Sequence, residues 1–229
     1  MSATEPRYVP AASRRAFTRL YDPVLALTMR ERTFRGRLQE QVLAELPGSG
    51  ARVVDVGCGT GTFAISLAAA LPGAEVTAID GDAEVLALAE AKPGATRVSW
   101  SKGLATSLPL PDAGTDAVIM SLLLHHLAPA AKRAALGEVR RVLRPGGRLH
   151  IADWGRPHDP LMRAAFFVLQ LADGFEGTRD HAAGRLPELV GEAGFADVTR
   201  TDRLRTAWGS LELLAATKPA TDTQPGATA

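Results

Sequence analysis

The feature with the clearest chemical meaning is a glycine-rich loop within residues 53–63, VVDVGCGTGTF. Gly57, Gly59 and Gly61 allow the backbone to turn sharply and let a ligand lie against it without a Cβ in the way. A β-branched run precedes the loop and an alanine-rich run follows it, so we expect a strand, a tight turn and a helix. The first N–H groups of that helix are free to bind a ligand, and the pattern predicts a nucleotide site.

The spacing G-x-G-x-G differs from the G-x-G-x-x-G of dinucleotide-binding loops, in which a pyrophosphate lies on the helix N-terminus. Asp55 stands two residues before the first glycine. A carboxylate there repels a pyrophosphate and attracts an ammonium group, so the expected ligand is cationic at this end. S-adenosylmethionine fits, because it carries an α-amino group and a sulfonium. Cys58 lies inside the loop, where its small size accounts for it.

A second carboxylate, Asp80 in the segment AIDGD, ends the next predicted strand and is followed by Gly81. A carboxylate there can accept hydrogen bonds from both ribose hydroxyls of an adenosine, and such charge-assisted bonds are roughly twice as strong as neutral ones. Asp80 therefore supports an adenosine ligand, but it does not distinguish a dinucleotide from S-adenosylmethionine.

The candidates for chemistry on an acceptor molecule are His125, His126 and Asp153, which end two later strands. Open α/β sheets bind ligands at this edge, and histidine is a favoured base near neutral pH. Either histidine could act as a base or orient the acceptor, or could make a structural hydrogen bond. We expect the adjacent histidines to point apart, one into the site. Asp153 could orient the acceptor or cap the helix that follows.

The elements that position these residues form an alternating pattern from residue 52 onward, typical of βαβ units and a parallel sheet. The predicted strands cover residues 52–56, 75–80, 97–101, 117–121, 147–153, 197–204 and 211–217. The predicted helices cover residues 12–20, 23–46, 62–71, 83–91, 129–143, 160–172 and 186–193. We expect an N-terminal helical cap over residues 1–46, a ligand-binding domain over 47–218 and a disordered tail over 219–229.

The composition of the chain limits the classes of partner that we expect. The chain has 229 residues, and its 26 basic and 25 acidic side chains leave a net charge of +1. No global field would attract nucleic acid or an anionic membrane, so a small-molecule partner is expected. One cysteine excludes an internal disulfide and a cysteine zinc site, and we expect no metal. The beginning of the chain lacks a secretory signal, and a cytoplasmic location is expected.

Three further segments are less specific. Residues 161–172 are apolar almost all round, which predicts a core or subunit contact, a homodimer included, or the wall of an apolar acceptor pocket. No apolar stretch is long enough for stable insertion into a membrane. Asp180 and His181 are expected in a loop that could act as a lid. The arginines of the opening helices, Arg35 among them, are expected on a solvated face.

With these motifs in place, the sequence resembles the class I S-adenosylmethionine-dependent methyltransferases, and within them the group similar to the ubiquinone/menaquinone-biosynthesis C-methyltransferases. The resemblance is carried by VVDVGCGTG, by SLPLPDAGTDAVIMSLLLHHL at residues 107–127 and by LRPGGRLHIADWG at residues 143–155. It implies an α/β, Rossmann-like sheet of seven strands in the order 3-2-1-4-5-7-6, with strand 7 antiparallel and helices on both faces.

The resemblance also implies roles in cofactor binding. The glycines of the loop would line the methionine part, Asp55 would lie near its amine, Asp80 would hold the ribose and Gly81 would flank the adenine. The position at which relatives often place an acid for the adenine amino group is occupied by Leu104. We therefore expect backbone contacts from Leu104 or Ala105. Ser121, at the end of the fourth strand, completes the expected set.

The function that follows is methyl transfer from S-adenosylmethionine to a small, apolar or aromatic acceptor. Alignment of methyl and acceptor can supply much of the catalysis, so a base is optional. Two alternatives stay open: N-methylation of a phospholipid headgroup amine, and a protein that binds the cofactor for regulation or interaction without turnover. The acceptor atom, carbon, oxygen or nitrogen, also stays open.

Overall fold

The structure is a computed structural model, and it describes residues 28–46 and 49–221. The predicted helix at 12–20, the first part of the predicted helix at 23–46 and most of the expected tail lie outside these ranges. The division into a cap, a domain and a tail stays a prediction.

Seven strands and seven α-helices form the described fold. The strands are β1 (Arg52–Val56), β2 (Glu75–Asp80), β3 (Val98–Lys102), β4 (Thr115–Ser121), β5 (Leu143–Trp154), β6 (Ala196–Thr206) and β7 (Gly209–Thr217). The helices are α1 (Glu31–Glu45), α2 (Thr62–Ala70), α3 (Ala83–Glu90), α4 (Pro129–Val142), α5 (Pro160–Asp173), α6 (Phe175–Ala183) and α7 (Leu186–Glu192). Short 3₁₀ turns occupy Ala95–Arg97 and Leu124–His126.

The strands form one sheet in the order β3-β2-β1-β4-β5-β7-β6. Strands β1 to β5 are parallel, and β7 runs antiparallel to both β5 and β6. The predicted fold class, strand order and antiparallel strand 7 are therefore confirmed. Because the parallel strands share one direction, the loops after β1, β2, β4 and β5 meet at one edge of the sheet.

The core is divided between the two faces of the sheet, since successive side chains of a strand point to opposite faces. Val53 packs on one face with Phe34 of α1 and Phe166 of α5. Val54 packs on the other face with Leu136 of α4. Leu189 of α7 belongs to the same cluster, further along the sheet. Both faces are covered, so the central strands are apolar almost throughout.

The region between β5 and β6 differs most from the sequence prediction. Helix α6 occupies Phe175–Ala183, where a loop was expected. Gly177 makes this helix hard to predict from the sequence, because glycine is a poor helix former. Its position requires glycine: a Cβ there would lie 2.2 Å from the carbonyl oxygen of His125. Helix α6 thus packs directly on the turn after β4.

Helix α5 has one buried and one exposed apolar face. Met162, Phe166 and Leu169 are buried in the core. The opposite face exposes Leu161 (64%) and Leu171 (63%), together with Phe167 and Val168. The expectation of a core contact is confirmed for the first face only. The described residues leave the second face uncovered, so the subunit contact and the acceptor pocket stay predictions.

Two glycine substitutions test this packing. Gly177→Ala should lower the free energy of unfolding by about 2–3 kcal/mol, because the new methyl group overpacks a backbone contact. Gly137→Ala, on the exposed side of α4 where a Cβ meets nothing within 4 Å, should raise it by roughly 0.5–1 kcal/mol. Urea denaturation measures both. Equal effects of the two substitutions would contradict the described packing of α6.

Candidate active site

The glycine loop is anchored to the end of β2. The backbone N–H groups of Gly57 and Cys58 donate to the carbonyl oxygen of Ile79 at 2.8 and 3.1 Å. Gly61 donates to Cys58 at 3.0 Å and precedes the first residue of α2. Gly57, Gly59 and Gly61 all have positive φ angles, between 54° and 73°. The loop is therefore a fixed turn whose conformation favours glycine at three positions.

The three glycines do different things. A Cβ at Gly59 would meet nothing within 4 Å, so open space lies beside this residue. A Cβ at Gly61 would lie 2.3 Å from the ring of Trp100, and one at Gly57 would lie 2.8 Å from the Leu123 side chain. Gly59 thus leaves room for a ligand, whereas Gly61 and Gly57 allow close packing against the neighbouring elements.

Asp80 ties the loop together. One carboxylate oxygen accepts from the Gly59 N–H at 2.9 Å, and the other accepts from the Asp82 N–H at 3.0 Å. Each carboxylate oxygen has a second lone pair, so both can still accept a ribose hydroxyl. Gly81 lies between these contacts. Asp82 caps α3 by accepting from the N–H of Glu84 at 2.8 Å.

An acidic and a basic side chain, Asp55 and Arg35, lie near the loop. Each has one buried atom without a hydrogen-bond partner among the described residues. Asp55 is buried, and its Oδ1 has no hydrogen-bond partner in the described part of the chain. Burial raises its pKa to about 7, with Arg35 opposing the rise and Asp80 adding to it. Nε of Arg35 is also buried and unbonded among these residues, while its Nη2 pairs with Glu31 at 2.6 Å.

Sequence reasoning missed Arg35, which it placed on a solvated face. The sequence signal that could have indicated its position is the four-residue spacing of Phe34, Leu38 and Val42, which are the buried residues of α1. Arg35 flanks this stripe and lies one turn from Glu31, so part of its side chain faces the domain. Only the fold brings it near Asp55.

The turn after β4 holds the two candidate histidines. Leu122 has a φ of 53°, which is unusual for a non-glycine residue and typical of functional sites. Its N–H donates to Ala152 of β5 at 2.8 Å, and the chain then forms the 3₁₀ turn that contains His125 and His126. Leu123 contacts the position of Gly57, so this turn adjoins the glycine loop.

Asp153 is the anchor of this turn. Its buried carboxylate accepts from the backbone N–H groups of Leu124 at 2.8 Å and Trp154 at 2.7 Å, and from Nδ1 of His125 at 2.7 Å. Burial alone would raise the pKa of Asp153, but the imidazoles of His125 and His181 and these hydrogen bonds hold it well below its usual range. The carboxylate stays charged and fixes the His125 ring.

The helix-capping alternative for Asp153 is wrong. Asp159 caps α5, because its side chain accepts from the N–H of Met162 at 2.9 Å. Asp153 is completely buried and directed to the turn after β4 instead.

The expectation that the two histidines point apart is also wrong. Their ring centroids lie 3.9 Å apart, because the residues belong to a 3₁₀ turn instead of a strand with alternating side chains. His125 is buried, and His126 is partly buried, with no hydrogen bond from its ring to any of the described residues. Burial, and next the neighbouring His125, lowers the pKa of His126 to about 3, so its ring is neutral near pH 7.

Asp180 and His181 are buried in α6, which corrects the loop prediction and removes the basis for a lid there. Nδ1 of His181 bonds to the carbonyl oxygen of Trp154 at 2.7 Å. Asp180 pairs with the buried Lys132 at 3.3 Å. These contacts hold α6 against the end of β5 and against α4.

The remaining cofactor candidates lie at the same edge of the sheet. Gly103 donates to the carbonyl oxygen of Asp80 at 3.0 Å, which places the turn containing Leu104 and Ala105 beside the end of β2. Both residues are partly buried. Ser121 is the last residue of β4 and pairs with Ala152 of β5. Their contacts with a cofactor stay predictions.

Comparison with known proteins shows what the chain is similar to. Residues 53–147 match the family described as a methyltransferase domain. The chain is therefore similar to methyltransferases over this segment, and the cofactor that such a domain implies is S-adenosylmethionine. The structure fits this cofactor: open space at Gly59 and the unbonded atoms of Asp55 and Arg35 suit the zwitterionic amino-acid end of the molecule.

Curated proteins similar to this chain include two methyltransferases whose names refer to ubiquinone or menaquinone. The chain is 36% identical to a ubiquinone/menaquinone biosynthesis C-methyltransferase of Syntrophotalea carbinolica, over 53% of this chain and 51% of the relative. It is 37% identical to a demethylmenaquinone methyltransferase of Deinococcus radiodurans, over 64% of this chain and 59% of the relative. The match thus spans about half to three fifths of each relative's length. The predicted resemblance to this group is confirmed.

Solved structures share the fold of this chain. A methyltransferase from Thermotoga maritima has a TM-score of 0.67 and 22% identity, covering 89% of this chain and 97% of that one. The magnesium protoporphyrin IX methyltransferase of Synechocystis, solved with S-adenosylhomocysteine, has a TM-score of 0.63 and 21% identity, covering 82% and 83%. Within residues 28–46 and 49–221, every helix is too short or too polar to traverse a bilayer.

The space beside Gly59 can be tested by filling it. Gly59→Ala should weaken S-adenosylmethionine binding at least tenfold, about 1.4 kcal/mol, because the methyl group takes ligand space. Gly50→Ala is the matched control, since Gly50 also has a positive φ and open surroundings but lies outside the loop. Calorimetric titration of both variants measures the difference. Equal affinities would contradict a ligand at Gly59.

Asp55 gives the site a pH dependence. Its carboxyl is neutral below its pKa of about 7 and charged above it, and only the charged form attracts an ammonium group. Affinity for S-adenosylmethionine should therefore rise, by about tenfold or more, between about pH 5.5 and pH 7.5. Asp55→Asn should bind weakly with a flatter profile. A wild-type affinity that falls as pH rises through this window would contradict the assignment.

Proposed function

We propose that the protein transfers a methyl group from S-adenosylmethionine to a carbon of a small aromatic acceptor of the hydroquinone class. The observation that carries this proposal is the buried pair of His125 and Asp153, with a 2.7 Å hydrogen bond, on the turn that adjoins the glycine loop. Such a pair can take a proton from an acceptor hydroxyl beside the cofactor.

The residues of the chain would divide the work as follows. Asp55 and Arg35 hold the amino and carboxylate groups of the methionine part, and Asp80 holds the ribose. When bound, the cofactor supplies a methyl group activated by the adjacent sulfonium. The protein fixes the distance and direction between that methyl group and the acceptor, which is the main requirement of an in-line displacement.

His125 would act as the base. Asp153 accepts from Nδ1, which places the proton on that nitrogen and leaves the lone pair of Nε2 available. Loss of the hydroxyl proton to Nε2 makes the acceptor ring more electron-rich and its carbon a better nucleophile. The neutral His126, 3.9 Å away between ring centroids, is placed to orient the acceptor.

The character of the surroundings supports an aromatic acceptor. Nε2 of His125 lies 3.7 Å from Asp173, the last residue of α5, so the end of this apolar helix borders the site. Curated relatives named as demethylmenaquinone methyltransferase and ubiquinone/menaquinone biosynthesis C-methyltransferase support the same acceptor class.

The role of Arg35 can be tested by removal of its charge. Arg35→Ala should weaken S-adenosylmethionine binding by about 10- to 100-fold, because a charge-assisted hydrogen bond contributes about 1.5–3 kcal/mol. Arg37→Ala is the control on the same helix, since Arg37 pairs with Asp202 on the surface. Calorimetric titration compares the two. A larger loss for Arg37→Ala would contradict the assignment.

The activity is tested by release of S-adenosylhomocysteine in the presence of a reduced demethylated naphthoquinol, phosphoethanolamine or no acceptor. We expect turnover with the naphthoquinol and methyl on a ring carbon by mass spectrometry. His125→Gln should lower kcat by about 10²–10⁴-fold with unchanged cofactor affinity, because it removes the base. His158→Gln, a partly exposed histidine bonded to Ser210, is the control.

Each other result has a definite meaning. Turnover only with phosphoethanolamine would replace the proposal by amine methylation. Cofactor binding without turnover on any acceptor would identify a cofactor-binding protein instead. Full activity of His125→Gln would exclude His125 as the base.

A further inference from the structure

Three potential metal ligands lie close together beside the candidate active site. His125 and His126 come from the turn after β4, and Asp173 comes from the end of α5. One donor atom from each residue lies within 4.8 Å of the other two. Nε2 of His125 lies 3.7 Å from Oδ2 of Asp173.

We propose that His125, His126 and Asp173 form a binding site for a divalent transition-metal ion of the zinc class. Two imidazole nitrogens and one carboxylate oxygen suit zinc, cobalt, nickel or ferrous iron, whereas magnesium and calcium prefer oxygen ligands throughout. Three protein ligands leave a further coordination position for water or another small ligand, as in metal sites that exchange ligands.

A second observation, outside the three ligands, supports the site. Metal-bound histidines characteristically donate their other ring N–H to a carboxylate, which fixes the tautomer and the ring orientation. Asp153 does this for His125, with 2.7 Å between Oδ1 and Nδ1. Because Asp153 is itself held by backbone N–H groups, Nε2 of His125 is directed at Asp173 by a rigid support.

The other two ligands are available and accessible. The ring nitrogens of His126 make no hydrogen bond within residues 28–46 and 49–221, and the ring lies against that of His125. The Asp173 side chain is 25% exposed, so an ion can enter from solvent. Two donor atoms bonded to one tetrahedral zinc ion at about 2.0–2.2 Å lie roughly 3.4 Å apart, which is close to the 3.7 Å between Nε2 of His125 and Oδ2 of Asp173.

The cysteine argument that predicted no metal could not detect this site. Its ligands are imidazoles and a carboxylate, and Asp173 lies far from the histidine pair in sequence. Only the packing of α5 against the turn after β4 unites them.

The inferred site has a consequence for activity, which rests on the proposed function. A metal ion on Nε2 of His125 takes the lone pair that would accept the proton. Saturating zinc should therefore inhibit methyl transfer, a chelator should restore it, and binding of S-adenosylmethionine should be unchanged.

Direct binding of zinc tests the site without any activity assay. The full chain, treated with chelator and dialysed, should take up one zinc ion per chain in equilibrium dialysis, and cobalt should give a visible absorption band from the same site. His126→Ala and Asp173→Ala should each weaken zinc binding at least tenfold. His158→Ala, beside the carboxylate of Asp159 and outside the cluster, should bind as the wild type does.

Unchanged cofactor affinity of His126→Ala and Asp173→Ala will show that these variants are folded. No stoichiometric zinc uptake by the wild type, or wild-type uptake by both variants, overturns the site whether or not the protein is active. Zinc uptake that leaves methyl transfer unaffected overturns the inhibitory role. Zinc uptake by a protein that methylates no acceptor upholds the site and refutes the proposed function.

Discussion

The site depends on a buried carboxylate that the described protein leaves without a hydrogen-bond partner on one oxygen. Asp55 lies at the centre of the sheet with Oδ1 unbonded, and burial raises its pKa to about 7. Such an arrangement lowers stability, because removal of a carboxylate from water without compensation is unfavourable. A ligand that brings an ammonium group to Asp55 removes this penalty. We therefore propose that Asp55 favours cofactor binding, because a bound ammonium group would pair with its carboxylate.

The rest of the site follows from the direction of the strands. Parallel β1, β2, β4 and β5 deliver the glycine loop, Asp80, the histidine turn and Asp153 to one edge of the sheet. Backbone hydrogen bonds to Ile79 and Ala152 fix the two central turns, and Asp80 and Asp153 each bind backbone N–H groups. Both carboxylates therefore organise loops. In the proposed function, Asp80 lies on the cofactor side of the site and Asp153 on the acceptor side.

Sequence reasoning reached the alternation of strands and helices and the cofactor loop because these depend on local patterns, whereas the strand order came from the resemblance to a known family. The G-x-G-x-G spacing with Asp55, and the regular alternation of strands and helices, are written in short segments. It failed where distant contacts decide the structure. Gly177 concealed α6, since a contact with His125 requires glycine inside a helix. Arg35 was assigned to solvent because its approach to Asp55 depends on the docking of α1. Asp173 was not predicted as a site residue, because only the folded structure brings the end of α5 near His125.

The most direct test of the account compares two ligands, S-adenosylhomocysteine and 5′-methylthioadenosine, which share the adenosine and differ in the amino-acid group. Calorimetric titration of the full chain should show that S-adenosylhomocysteine binds at least about a hundredfold tighter, or about 2.7 kcal/mol, because only it reaches Asp55 and Arg35. In the double variant Asp55→Asn with Arg35→Ala, this preference should fall to a few-fold. A preference that is the same in the wild type and the double variant would contradict the account.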